Sequence, residues 1–163
     1  MRDRRLSSQT VDDLAAARTR VHDQTNRSTE QILPDRDIIG VLAEDAFERL
    51  SGLPMDRTAK FSGDDGADFL TKNGLRVDIK ATPREDGRLM IKMQRAGKAH
   101  IYVLAVVDRE TRRVTFKGFA YQNDFAPEKY HEKHHGVLFC VLEQKDLRPM
   151  ELGPWRFSDE PPF

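Results

Sequence analysis

Cysteine is nearly absent: Cys140 stands alone among 163 residues. A single thiol excludes an intrachain disulfide, and nothing suggests a secreted scaffold stapled by bridges. Net charge is also missing, since 27 Lys and Arg balance 27 Asp and Glu. A nucleic-acid binder that relies on overall electrostatics is usually basic, so such a role here has to rest on local patches. No apolar run approaches membrane-spanning length. The opening "MRDRRLSSQTVDDLAAARTR" lacks the apolar core of a signal peptide. There is no internal repeat. The expectation is a soluble, cytoplasmic protein without membrane contact, long enough for one domain with a substantial core.

What is present divides at Pro34. Residues 1–35 are polar and charged, with Val11, Leu14 and Val21 as a thin apolar face on a helix-compatible stretch. This reads as an arm that packs on something or stays mobile. Residues 36–163 read as the main domain. "DRDIIGVLAEDAFERLSGL", residues 35–53, is the best helix: Ile38, Ile39, Leu42, Ala43, Ala46, Phe47 and Leu50 recur at helical spacing. Asp35 or Asp37 suits its start and Gly52 its end. "SGDDG" is a loop, "ADFL" starts a short strand, and Asn73-Gly74 marks a tight hairpin. "RLMIKM", "HIYVLAVVD", "VTFKGFAY" and "VLFCVL" follow as strands, the second apolar enough to be buried on both faces. "QNDFAPEKYHEKHHG" reads as a loop with a helical turn. These elements predict a single α/β domain with a central mixed sheet flanked by helices.

The stretch "NGLRVDIKAT", residues 73–82, alternates Leu75, Val77 and Ile79 with Arg76, Asp78 and Lys80. A period of two makes it a strand that points Asp78 and Lys80 to one face. The hairpin brings Asp68 from the preceding strand about 5 Å away. Two carboxylates so placed can share a hard divalent cation, Mg²⁺ or Mn²⁺. A lysine beside them can orient a water or neutralise phosphate charge. Metal, water and cation together are what phosphodiester hydrolysis needs.

"GADF" followed by "VDIKAT" resembles the PD-(D/E)XK nuclease superfamily, the restriction-endonuclease-like fold. There, one strand opens with an acid and the next carries acid-x-lysine. "GVLAEDAFERLSG" resembles the preceding helix of that superfamily, whose glutamate maps onto Glu44. "RLMIKM", "AHIYVLAVVD", "KGFAYQNDF" and "KDLRPM" resemble its small phage- and mobile-element-like branches, so the likeness covers roughly residues 36–150. Ala67 stands where the motif often has proline. No crossover helix is evident between Lys80 and the strand at 100–108. The resemblance implies a Mg²⁺-dependent deoxyribonuclease, with Mn²⁺ as a substitute, acting on DNA in a bacterial or phage-infected cell. Asp68, Asp78 and Glu44 would hold metal, and Lys80 would complete the catalytic set. A Holliday-junction-type resolvase, working as a symmetric homodimer, and a catalytically silent nucleic-acid-binding module are the rivals.

Each assignment has a plainer counterpart. Asp78 and Lys80 also fit a solvated strand face with an ion pair. Asp45 lies at the opposite edge of the helix's apolar face from Glu44, and Glu48 is one turn away. Asp64 and Asp65 are alternatives to Asp68, though loop-shaping suits them better. Gln94 suits either phosphate or solvent. His131, His134 and His135 with Cys140 fit no closed zinc pattern, and Cys140 reads as a buried thiol. Trp155 reads as a packing anchor. Arg84, Arg88, Lys92, Arg95 and Lys98 crowd one region and are the candidate DNA-phosphate contacts.

Overall fold

In this computed structural model, residues 10–17, 36–55 and 67–155 are described. Residues 10–17 form a first helix (α1), and the 16-residue helix Arg36–Ser51 (α2) is the longer one. α2 buries Ile39, Val41, Leu42, Ala43 and Phe47. Val41 joins the buried face, whereas Leu50 remains 39% exposed. The buried arc is thus shifted from the predicted stripe, because α2 touches more than a sheet. Val11 and Ala15 of α1 are buried in the same core, so that part of the arm packs onto the domain. Gly52 ends α2 with φ of 77° and returns its N–H to the Glu48 carbonyl at 2.8 Å, the left-handed stop that glycine adopts without penalty. Asp35 lies outside the described residues.

Seven strands follow: β1 (Phe69–Leu70), β2 (Arg76–Thr82), β3 (Leu89–Lys92), β4 (Ile101–Val107), β5 (Val114–Tyr121), β6 (His131–His134) and β7 (Val137–Leu142). A mixed four-stranded sheet has the order β1-β2-β4-β5, with β2 and β4 parallel and the outer pairs antiparallel. A second, antiparallel sheet has the order β3-β7-β6. The predicted mixed sheet and α/β class are therefore present.

Among the described residues, the expectation of helices around the sheet holds on one face only. Val77, Ile79, Ile101, Val103 and Ala105 share a core with α2, while Tyr102 and Leu104 share another with Leu89, Ile91, Cys140 and Leu142. The second sheet, not a helix layer, backs this other face. The cause lies in the connection between the parallel strands. "LMIK" alternates Leu89 and Ile91 inward with Met90 and Lys92 outward, so it pairs with β7 as a strand and cannot supply a crossover helix. β6 falls where the sequence predicts a loop. "HEKH" has no apolar alternation, and β6 lies at the sheet's edge, where polar residues are tolerated.

The chain closes over the α2 core at Trp155, which is 1% exposed and meets Phe47 and Phe119 edge-to-face, with centroids 5.3 and 5.0 Å away. Beside it, β5 bulges opposite Leu104 and Ala105. Gly118 there has φ of 140°, and a Cβ would stand 2.7 Å from the Arg148 carbonyl oxygen. The bare backbone lets Phe119 and Arg148 exchange hydrogen bonds of 3.0 and 2.8 Å. Among the described residues no helix is long and apolar enough to cross a membrane.

Trp155→Ala is expected to cost about 3–5 kcal/mol, the scale for emptying a large buried aromatic site. Urea unfolding of parent and variant measures it. A loss under about 1 kcal/mol would show that the closing segment is not integral to the core.

Candidate functional site

The hairpin between β1 and β2 sets the site's register. The Thr71 carbonyl accepts from the Gly74 N–H at 2.9 Å, and the Thr71 hydroxyl accepts from the Leu75 N–H at 3.0 Å. Gly74 takes φ of 83°. Asn73 does not need a positive angle, so the turn places its strain on glycine alone. Phe69 then pairs with Val77, which sets Asp68 across from Asp78. Phe69 and Val77 point into the α2 core, so strand alternation sends both aspartates to the opposite face. β4 adds the next row, with Tyr102 beside Asp78 and Leu104 beside Lys80.

Three charged side chains meet there. Lys80 Nζ lies 2.7 Å from Asp78 Oδ2. Asp68 Oδ2 accepts from the Ile79 N–H at 2.8 Å. The Asp68 carboxyl is held well above the ordinary carboxylate range, first by burial, then by the negative charges of Glu44 and Asp78. The backbone hydrogen bond opposes this without reversing it. Burial alone draws the Lys80 ammonium down, but attraction to Asp78, with Asp68 and Tyr102 adding to it, leaves its pKa above the ordinary lysine value. Lys80 is thus a cation at neutral pH and not a base. Its side chain is 40% exposed, against 18% for Asp78, so the cluster opens to solvent on the lysine side.

α2 contributes Glu44, 6% exposed, whose charge reaches Asp68. Asp45, 4% exposed, turns elsewhere: it pairs with Arg49 at 3.3 Å and lines a cleft of about 710 Å³ between α1, α2 and the β4–β5 turn. Of the two carboxylates at the helix edges, Glu44 is therefore the one beside the cluster. Asp64 and Asp65 lie outside the described residues. Among the described residues, no three His, Cys, Asp or Glu side chains are gathered as a ready-made metal site. The donors at the cluster are carboxylate oxygens, and their mutual repulsion is what a hard divalent cation relieves.

The candidate phosphate contacts divide into two groups. Arg84 lies 3.6 Å from Asp86, both well exposed, a pairing worth at most about 1 kcal/mol. Arg88 is held by Glu132 at 2.7 Å, which ties β3 to β6. Lys92 ends β3. Arg95 and Lys98, with Gln94, are exposed on the connection leading into β4. Cys140 is buried, with its thiol 3.5 Å from Met93 sulfur, and His131 bonds the Phe125 carbonyl, so neither points to zinc. Tyr102 is the neighbour that sequence reasoning missed. It sits inside an apolar run, and only the β2–β4 register brings it beside Asp78.

The raised Asp68 pKa has a stability consequence. The folded protein keeps a proton that the unfolded chain gives up, so stability falls as pH rises from the ordinary carboxylate range through the raised folded value. Asp68→Asn removes this titration and keeps an oxygen for the Ile79 N–H. In EDTA, the variant's thermal midpoint is expected to exceed the parent's by a few degrees at about pH 8, the gain shrinking toward about pH 4. A gain independent of pH would contradict the assignment.

No protein-family model matches this chain, and no curated protein matches it.

Proposed function

We propose that this chain is a metal-dependent deoxyribonuclease that hydrolyses phosphodiester bonds, a member of the PD-(D/E)XK group with a restriction-endonuclease-like core. The observation that carries the reading is the placement of Asp68 opposite Asp78 across a hairpin, with the Lys80 ammonium 2.7 Å from Asp78 on the same sheet face. An amphipathic helix backing that hairpin, with Glu44 toward Asp68, adds to it. Asp68 and Asp78 are the residues that would hold Mg²⁺ or Mn²⁺, with Glu44 as a third donor. A cation held by them would lower the pKa of a bound water and neutralise part of the phosphate charge. Lys80, held protonated, faces the oxygen on which negative charge accumulates and steadies the attacking water. The Ile79 N–H fixes Asp68 through its Oδ2.

A second reading is a silent nucleic-acid-binding module. The Asp78–Lys80 ion pair favours it, since a closed pair satisfies both charges without substrate. Divalent-cation binding separates the two. Millimolar Mg²⁺ is expected to raise the thermal midpoint of the parent and not of Asp78→Asn, because only the native fold with both carboxylates binds the ion.

Incubation with linear, circular, single-stranded and branched DNA tests the activity. Cleavage is expected with Mg²⁺ and none with EDTA. Asp78→Asn abolishes it with the fold retained, and Lys80→Ala lowers the rate about a hundredfold, the scale of losing one group that stabilises transition-state charge. An Asp78→Asn protein that cuts as fast as the parent removes the site assignment. Preference for branched DNA by a dimeric protein would select the junction-resolving form.

A further inference from the structure

One phenol helps to fasten the connection between β3 and β4. Tyr102 is 1% exposed, and its ring meets Phe125 edge-to-face at 5.8 Å. Its hydroxyl oxygen accepts from the Ala99 N–H at 3.2 Å. The same hydroxyl stands 3.0 Å from the carbonyl oxygens of both Arg95 and Ala96, and its single proton serves one of them at a time. A second anchor lies alongside. Arg76 Nε donates to the Lys98 carbonyl at 2.9 Å, and the Arg76 N–H donates to His100 Nδ1 at 2.9 Å. Residues 95–100 are thus fastened to the start of β2 and to β4, whose Tyr102 stands beside Asp78 in register.

Few of these bonds are made by regular sheet pairing. Without the hydroxyl, the buried Ala99 N–H loses its acceptor and the Ala96 carbonyl loses a donor, while the Arg95 carbonyl keeps the Lys98 N–H at 3.1 Å. The connection would then be held by the Arg76 contacts and its own turn bonds, without the tie to β4 that the phenol supplies. Its outward side chains are Gln94, Arg95 and Lys98, all exposed. Two exposed cations on a connection fastened to the start of β2, the strand that carries Asp78 and Lys80, suit contacts to phosphates of one strand.

We propose that Tyr102 is a positioning residue for substrate: its hydroxyl holds the 94–98 connection so that Arg95 and Lys98 grip the DNA phosphates flanking the one at Asp68, Asp78 and Lys80. This rests on the nuclease reading of that cluster. The phenol touches neither substrate nor metal, and acts through the backbone it fastens. The DNA path then runs over the β3–β4 connection, with Arg88, engaged by Glu132, serving the fold instead.

Tyr102→Phe keeps the ring and removes the hydroxyl. Duplex affinity is measured in Ca²⁺ across a salt series, with kcat and KM in Mg²⁺. The expected result is a KM raised roughly tenfold with kcat within about twofold. The slope of log affinity against log salt should flatten by about 0.9 for each phosphate no longer engaged, close to two units in all. Arg95→Ala/Lys98→Ala should flatten the slope equally, and adding it to Tyr102→Phe should cause little further change. A Tyr102→Phe protein with lowered thermal midpoint but the parent's slope and KM overturns the proposal and leaves the nuclease reading standing. If Tyr102→Phe does not fold, the surface double variant decides: a slope unchanged from the parent overturns the proposal, and the predicted flattening supports it. A parent protein that neither binds nor cleaves DNA defeats the nuclease reading, and the positioning role with it.

Discussion

Every layer of this molecule answers to the burial of β4 on both faces. All seven of its residues are buried, and a strand apolar on both sides has to be covered twice. α2 and α1 supply one cover. β3 and β7 supply the other. Because β2 lies beside β4 in parallel, its residues inherit the same two environments: Val77 and Ile79 go with the helices, and Asp78 and Lys80 go to the side of the second sheet. Polar side chains on that side need partners or solvent. Asp78 finds Lys80, and Lys80 reaches solvent.

The electrostatics of the cluster follow from this placement. A lone aspartate at the surface would ionise freely. Here Asp68 is buried and stands near the negative charges of Glu44 and Asp78, while Lys80 is paired with Asp78. This setting raises the proton affinity of Asp68, and it equally describes a place where added positive charge is favourable. The same feature thus accounts for a cost to the fold and for the chemistry proposed there. Electrostatic imbalance of this kind at a local cluster is a recurrent mark of function.

The two groups of basic residues show how packing sorts a charge cluster that looks uniform in the sequence. Arg88 and Arg95 stand on the same short stretch of chain. Arg88 is drawn into an ion pair across two strands of the second sheet. Arg95 stays exposed on a connection whose backbone, not its side chain, is fastened by Tyr102. Spacing along the chain carries no information on that difference, since Glu132 arrives from β6, a strand with no apolar pattern.

The main helix, the Asn73-Gly74 hairpin, and the pairing of Asp68 with Asp78 and Lys80 are legible in the sequence because they are local. Hydrophobic period, a left-handed glycine and a short loop decide them within about a dozen residues. The buried character of β4 is legible for the same reason. The tertiary structure decided the rest. It chose Glu44 over Asp45, since both lie at an edge of one apolar arc and only the docking angle of α2 distinguishes them. It made a strand of "HEKH", read from the sequence as part of a loop, because edge pairing needs backbone partners and not an apolar side-chain pattern. It brought Tyr102 beside Asp78 through the β2–β4 register, a meeting of residues far apart in the chain. Parallel register depends on how two covers pack over one strand, and no local pattern in either strand records it.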